Sequence, residues 1–270
     1  PIPRTLTLTV YGDMDTSRLD EKPPGRTRID TRVMPLDRIN NIIDATRRAI
    51  AGGSRVYWVC PLIEESEVLD LAAAEERYTH LVHIFKERVG LVHGKMKAKQ
   101  KDLVMKSFKE GTIDILVSTT VIEVGVHVPE ATVMIIEHAE RFGLSQLHQL
   151  RGRVGRGETK SSCILLYGTL GKKAEARLRI MRETDDGFII AEEDLKLRGA
   201  GELLGTRQSG LPKFKVASLE GHSHLIPMAR DDARLVLNND PALTNERGRY
   251  LRILLYLFER DEGVKYLKSG

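Results

Sequence analysis

Short, continuously apolar segments alternate with helical patterns between residues 36 and 167 of this 270-residue chain. An apolar run without polar alternation predicts a strand that is buried on both faces, which is typical of parallel sheets. Helices between such strands supply the crossover connections that parallel strands require. The sequence therefore predicts an α/β fold in which helices cover both faces of a mostly parallel sheet.

The individual elements follow from the apolar spacing and from glycine and proline stops. Helices are predicted at residues 36–51, 67–86 and 97–109, and strands at 55–60, 89–93, 113–118, 132–137 and 162–167. After Gly168 a mainly helical extension is predicted, with helices at 172–183, 190–197, 223–237 and 246–260. Residues 21–28, with two prolines and a glycine, predict a linker, and residues 197–210, with four glycines, predict irregular structure.

Polar residues follow three of the predicted strands. His93-Gly94, Ser118-Thr119-Thr120 and Glu137-His138 each stand at a strand end. Ligands of open parallel sheets gather at the carboxyl ends of the strands, so these residues are expected on one rim. The hydroxyl and backbone N–H groups of Thr119 and Thr120 could bind a phosphodiester.

The segment Q-L-R-G-R-V-G-R, residues 149–156, carries the most specific pattern. On a helix, Gln149, Arg153 and Arg156 fall at i, i+4 and i+7 and share one face. Gly152 and Gly155 would each cost about 1 kcal/mol in a helix interior, which suggests a close approach to the backbone. Two arginines beside bare backbone predict a receptor for a polyphosphate or a nucleic-acid backbone.

Positive charge is concentrated in the same region. Residues 141–182 contain ten Lys or Arg and two acids, a net +8, whereas the rest of the chain sums to −4. This asymmetry is expected for a partner that bears phosphates, but charge alone does not separate a nucleotide from a nucleic acid.

Other classes of function find little support in the sequence. No apolar run is long enough to span a membrane, and no histidine or cysteine pattern completes a metal site. Cys60 and Cys163 each lie in an apolar strand, which predicts buried thiols and a reducing cytoplasmic setting. No G-x-x-x-x-G-K-[S/T] phosphate loop occurs, so the chain is not expected to be a complete nucleotide hydrolase of that kind.

Three segments together resemble the second motor domain of superfamily-2 helicases. They are Q-L-R-G-R-V-G-R at 149–156, S-T-T-V-I-E-V-G at 118–125 and L-V-H-G-K-M at 91–96. Longer stretches at 59–67, 140–157 and 186–210 are similar to the RecG family of DNA translocases. P-I-P-R-T at residues 1–5 resembles the end of the first motor domain of that family.

The resemblance implies a RecA-like domain and a division of the chain into three parts. Residues 1–27 would be the tail of a first motor domain with a linker, 28–170 the second RecA-like domain, and 171–270 a coupling extension of helices. ATP and Mg²⁺ would be bound mainly by a first motor lobe that this chain does not contain.

The resemblance also implies roles for particular residues. Gln149, Arg153 and Arg156 would be catalytic at the ATP phosphates, and Gly125, Gly152 and Gly155 would line the nucleotide. DNA would be bound by the positions at the strand ends, namely His93, Gly94, Thr119 and Thr120. Coupling of hydrolysis to movement would use Arg177, Arg198 and Gln208. His127 stands where this superfamily commonly has an acid, so no nucleotide role is carried over to it.

The expected function is that of the C-terminal motor lobe of an ATP-dependent DNA helicase. The whole protein would unwind branched DNA, migrate Holliday junctions and reverse stalled forks as a monomer in the bacterial cytoplasm, associated with the nucleoid. The alternatives are a transcription-repair coupling translocase, which has a similar arginine segment, and a non-catalytic module that binds nucleic acid through its basic segment.

Overall fold

The computed structural model describes residues 28–61, 67–119, 128–155, 157, 159–205, 216–217, 222 and 224–258; of 67–71 and 198–205 it describes the backbone alone. The chain divides into two compact units, residues 18–197 and residues 1–17 together with 198–270.

The unit of residues 18–197 is built on a six-stranded sheet. The strands are β1 (Asp30–Pro35), β2 (Arg55–Val59), β3 (Val89–Val92), β4 (Ile115–Ser118), β5 (Ala131–Ile136) and β6 (Ser162–Tyr167). Their order across the sheet is β1-β6-β5-β2-β4-β3, and every neighbouring pair is parallel. All the carboxyl ends therefore lie along one edge, as predicted.

Helices cover both faces of this sheet. They are α1 (Ile39–Ala51), α2 (Glu67–Phe85), α3 (Ala98–Glu110), α4 (Leu144–Arg151), α5 (Lys172–Glu183) and α6 (Gly187–Gly205). On β2, Trp58 packs in a core with α1 and α2, whereas Tyr57 packs in the opposite core with α3, α4 and α5. Because successive residues of a strand point to opposite faces, this division explains the continuous apolar runs and confirms the doubly covered α/β fold.

The strand β1 was not among the predicted elements. Among the strands that the structure describes, it pairs with β6 alone, at one edge of the sheet, and its first residues alternate between exposed and buried. Because part of β1 is exposed, its sequence D-T-R-V-M-P contains both polar and apolar residues, and it ends in a proline. An edge strand of this kind lacks the signal that marks the central strands.

Two predictions in glycine-containing segments are wrong. The helix α4 ends at Arg151, so Gly152, Arg153 and Gly155 do not lie in a helix interior, and the expected helical face of Gln149 and Arg153 does not form. Conversely, α6 continues to Gly205 through a segment that was predicted to be irregular. A glycine costs only about 1 kcal/mol in a helix, so a favourable context can keep the helix intact.

The described part of the other unit contains two further helices. They are α7 (Leu225–Asn239) and α8 (Glu246–Leu257), close to the two helices predicted there. The turn between them is held by the carboxylate of Asp240, which accepts hydrogen bonds from Thr244 N and Asn245 N, both at 2.9 Å. Within the described ranges, no helix is both long and apolar enough to cross a membrane.

Candidate functional site

The arginine segment leaves α4 through a turn. Gly152 N donates to His148 O at 3.0 Å, and Arg153 N donates to Leu150 O at 2.9 Å. Both acceptors are carbonyls of α4, so the turn continues directly from the end of the helix. Gly155 then adopts φ +72°, a left-handed conformation that ends the helical path. Leu144, Leu147 and Leu150 are buried, which fixes α4 and therefore the start of this turn.

Arg151 anchors the same segment from inside the protein. It is 2% exposed, and its Nη1 donates to Met181 O at 2.6 Å and to Thr184 O at 3.0 Å. These two carbonyls lie at the end of α5 and just after it. Burial lowers the pKa of Arg151 below its ordinary value, but an arginine remains charged under physiological conditions. We call residues 152–155 the arginine turn. The guanidinium of Arg151, directly before this turn, therefore joins it to the end of α5.

The side chains of Gln149 and Arg153 are differently placed. Gln149 is exposed on α4, and Arg153 is half-buried in the turn after it. Neither side chain forms a hydrogen bond or an ion pair with any residue that the structure describes. Both are therefore available to a ligand.

The two glycines of this segment have different surroundings. A Cβ on Gly155 would lie 2.8 Å from Ile29 Cγ1, whereas a Cβ on Gly152 would meet only carbonyl oxygens of its own helix at 3.4 Å. The close approach inferred from the sequence is thus made, at Gly155, by a core side chain of the same unit.

We expect Gly155→Ala to lower the free energy of unfolding by about 2–4 kcal/mol, because it adds a contact with Ile29 to the strain of a positive φ. Gly53→Ala is the matched control, since Gly53 has φ +85° with nothing within 4 Å of its Cβ position. It should lose only about 1 kcal/mol. Urea unfolding of the two variants measures the difference, and equal losses would contradict the packing role of Gly155.

The rim residues of β3 and β4 are adjacent. Val92 pairs with Ser118 in the parallel ladder, so His93 and Thr119 each follow directly after neighbouring strand ends. Thr119 is only 4% exposed and Gly94 is exposed. His93 Nδ1 and Ser118 Oγ are buried, and neither has a hydrogen-bond partner among the described residues. Buried polar atoms of this kind usually have a partner, and these two atoms find none among the described residues.

A charged cluster lies at the carboxyl ends of β2 and β5. Glu137 is 6% exposed, and its Oε1 accepts a hydrogen bond from Trp58 Nε1 and another from Arg77 Nε, both at 2.5 Å. Arg77 Nη2 also donates to Glu137 Oε2 at 3.1 Å, and the guanidinium lies 5.9 Å from the centroid of the Trp58 ring. A buried carboxylate needs this degree of pairing. The cluster ties α2 to the segment that leads into α4.

A second set of contacts holds the segment between β5 and α4, through His138 and Glu140. His138 adopts φ +47°, and its Nδ1 lies 3.0 Å from Glu140 Oε1. Gly168 N donates to Glu140 Oε2 at 3.2 Å, and Arg177 Nη2 donates to Glu140 O at 2.7 Å. Arg177, which was predicted to be a coupling residue, therefore joins α5 to the segment that leads into α4.

The structure describes the remaining residues singled out in the sequence only in part or not at all. Arg198 lies in α6, where the structure describes the backbone but not the side chain. Five positions fall outside the described residues, namely Thr120, Gly125, His127, Arg156 and Gln208.

Both cysteines are free and buried, as predicted. Burial raises the pKa of Cys163 to about 12, and it is also the main cause that raises the pKa of Cys60. Both thiols are therefore poor nucleophiles in the folded chain. Among the residues that the structure describes, no group of three or more His, Cys, Asp or Glu could hold a metal ion.

Arg151 and Arg77 were not predicted as site residues. Arg151 was visible only as one charge in the basic segment, and nothing in the sequence distinguishes a buried arginine there from an exposed one. Glu137 was noted at a strand end, but its partner Arg77 lies 60 positions away on another helix. Such a pairing has no local sequence signal.

Two family models match this chain. The helicase conserved C-terminal domain matches residues 37–158, and the C-terminal part of domain 3 of the ATP-dependent DNA helicase RecG matches residues 184–254. The first match covers most of the sheet and ends just after the arginine segment, and the second covers all of α6 and α7 and most of α8.

Similar proteins agree with these matches. The ATP-dependent DNA helicase RecG of Escherichia coli O157:H7 is 54% identical over 244 residues, which are 89% of this chain and 35% of that protein. The RecG of Bacillus subtilis is 49% identical over 242 residues, 89% of this chain and 36% of that protein. The chain thus spans about a third of the length of these relatives.

A solved structure, that of RecG bound to a three-way DNA junction, is similar with a TM-score of 0.66 and 48% sequence identity. The similarity covers 84% of this chain and 29% of that one. With both family models matched and with this identity over most of its length, the chain belongs to the RecG family and corresponds to its helicase C-terminal domain and the C-terminal part of its domain 3.

Proposed function

We propose that this chain is the second motor lobe and coupling extension of an ATP-dependent DNA helicase. The full-length protein would unwind branched DNA, migrate Holliday junctions and reverse stalled replication forks. Support comes from relatives named ATP-dependent DNA helicase and from the similar structure bound to a three-way DNA junction. The observation that carries the proposal is the side chain of Arg153, which has no described partner in a turn anchored by buried Arg151.

The catalytic part of the proposal concerns Gln149, Arg153 and Arg156. ATP, bound with Mg²⁺ mainly by a first lobe, supplies the phosphoryl bond whose cleavage drives the cycle. Arg153 and Arg156 would place guanidinium groups against its phosphates, and Gln149 would orient them from the last turns of α4. Arginines supplied in this way stabilise the charge that develops during phosphoryl transfer. Gly125, Gly152 and Gly155 would shape the backbone beside the nucleotide.

The DNA part of the proposal concerns the rim of β3 and β4. His93, Gly94, Thr119 and Thr120 would contact the DNA backbone there, which agrees with the buried polar atoms of His93 and Ser118 that have no described partner. Contacts to phosphates fix the position of a protein on DNA without reading its sequence. Binding at this rim would therefore suit a protein that moves along DNA.

The coupling part concerns α5 and α6. Arg151, in the arginine segment, donates to Thr184 O just after α5, and Arg177 of α5 donates to Glu140 O in the segment that leads into α4. A displacement of the arginine turn would thus be transmitted to α5 through short hydrogen bonds. Arg198 and Gln208, further along the extension, would pass it to the DNA.

We retain the proposed division of the chain into residues 1–27, 28–170 and 171–270. Under this proposal the protein acts as a monomer in the bacterial cytoplasm, associated with the nucleoid.

The test compares the chain with the full-length protein. We expect the chain of 270 residues to show no ATP turnover and only weak DNA binding, because its sequence has no phosphate loop. The full-length protein should hydrolyse ATP in response to DNA and unwind a three-way junction labelled on one arm. Turnover by this chain alone would contradict the two-lobe proposal, as would a full-length protein that hydrolyses ATP without unwinding junctions.

A further inference from the structure

Six lysines lie within α3 and the turn that precedes it. They are Lys95, Lys97, Lys99, Lys101, Lys106 and Lys109. Only two acids, Asp102 and Glu110, accompany them, so residues 93–110 carry a net charge of +4. The six lysines lie outside the basic region of residues 141–182 and have no role in the function proposed above.

Most of these lysines are not neutralised by neighbours. The side chains of Lys95, Lys97, Lys99 and Lys109 form no ion pair or hydrogen bond with other described residues. Lys106 Nζ lies 3.7 Å from Glu110 Oε1, and both side chains are mostly exposed. An exposed pair of this kind contributes at most about 1 kcal/mol, so another anion can replace it.

Three of the lysines lie on the outer side of α3. Lys99 and Lys106 are seven residues apart and share one face, and Lys109 follows three residues later. Leu103 on the same side is 62% exposed, whereas Phe108 is fully buried in the core. We call Lys99, Lys106 and Lys109 the lysine face.

The lysine face begins at the rim that carries His93 and Gly94. Met96 N donates to His93 O at 3.2 Å, and α3 starts two residues later with no side chain capping its first turn. The uncapped N–H groups place the positive end of the helix dipole at the rim. Positive charge is thus present both at the rim and along α3.

We propose that the lysine face binds the phosphate backbone of duplex DNA and extends the contact proposed for the rim. The rise between Lys99 and Lys106 is about 10 Å, since an α-helix advances about 1.5 Å per residue. Three base-pair steps of about 3.4 Å advance a duplex by nearly the same length along its helix axis. A rigid helix can therefore place two ammonium groups beside phosphates of a regular backbone. This inference rests on the proposed function.

The test is the salt dependence of duplex binding by the full-length protein. Lys99→Gln with Lys106→Gln removes two charges from the lysine face. The control, Arg48→Gln with Lys86→Gln, removes two exposed charges, one on α1, which covers the opposite face of the sheet, and one just before β3. Binding of a fluorescent duplex is measured by anisotropy at several salt concentrations, and circular dichroism checks that both variants fold.

We expect the slope of log K against log [salt] to become shallower by about 2 for the lysine-face variant, because each phosphate contact contributes about 0.9. The control should keep the wild-type slope. Equal slopes for the two variants, with a wild-type protein that still unwinds junctions, would overturn this inference alone. A wild-type protein that neither binds duplex DNA nor unwinds junctions would overturn the proposed function as well.

Discussion

Arg153→Ala in the full-length protein should lower ATP turnover by about 10³-fold or more, the range found when an arginine at a transferring phosphoryl group is removed. The fold should survive, because the side chain makes no hydrogen bond or ion pair with a described residue. Junction binding should therefore stay within a few-fold of the wild type. Steady-state ATP hydrolysis with saturating junction DNA measures the first quantity, and anisotropy measures the second.

Two further variants sharpen this test. Arg153→Lys keeps the charge but loses the planar fork that binds two phosphate oxygens, so most of the loss should remain. Arg48→Ala removes an exposed arginine from α1 and should leave turnover unchanged. Normal turnover in Arg153→Ala would refute the catalytic role, and parallel loss of turnover and junction binding would indicate a structural one.

Arg151→Ala should lower the free energy of unfolding of the chain by about 3–5 kcal/mol. The change removes a donor from the buried carbonyl of Met181 and from the half-buried carbonyl of Thr184, and it also removes a large side chain from the core. An unsatisfied buried acceptor alone costs about 1–3 kcal/mol. Since a domain of this kind is stable by about 5–15 kcal/mol, this is a large fraction of its stability. Urea unfolding followed by circular dichroism measures the loss.

The control for Arg151 is Arg179→Ala, which removes an exposed arginine from α5. A surface change of this type should alter stability by less than about 0.5 kcal/mol. If both variants unfolded at the same urea concentration, the hydrogen bonds of Arg151 would not be what joins α4 to α5. Hydrogen exchange at the end of α5 should rise in Arg151→Ala and not in Arg179→Ala.

The central strands were predictable because both of their faces are buried. The strands β2 (residues 55–59) and β4 (residues 115–118) are mostly apolar, and each of them lies between two neighbouring strands in the sheet. At the edge, β1 needs apolar side chains at only some positions, so its pattern is too weak to identify. A strand buried on both faces is continuously apolar, whereas β1 is neither continuously apolar nor regularly alternating.

The arginine segment illustrates the opposite case. Its residue types indicated a phosphate receptor, but the helical spacing used to place Arg153 was wrong, because α4 ends at Arg151. Gly155 ends the helical path with a positive φ, and its missing side chain makes room for Ile29. A contact between residues so distant in the sequence cannot be inferred from local spacing.

The sequence by itself determined the alternation of strands and helices, the parallel sheet and the residue types of the arginine segment, since these depend on local periodicity and composition. Only the tertiary structure decided which arginine is free and which is buried. Arg151 and Arg153 are two residues apart in one motif, yet the first is buried and donates to carbonyls at the end of α5 and just after it, and the second has no described partner. That difference arises from packing between elements, which a pattern along one chain does not contain.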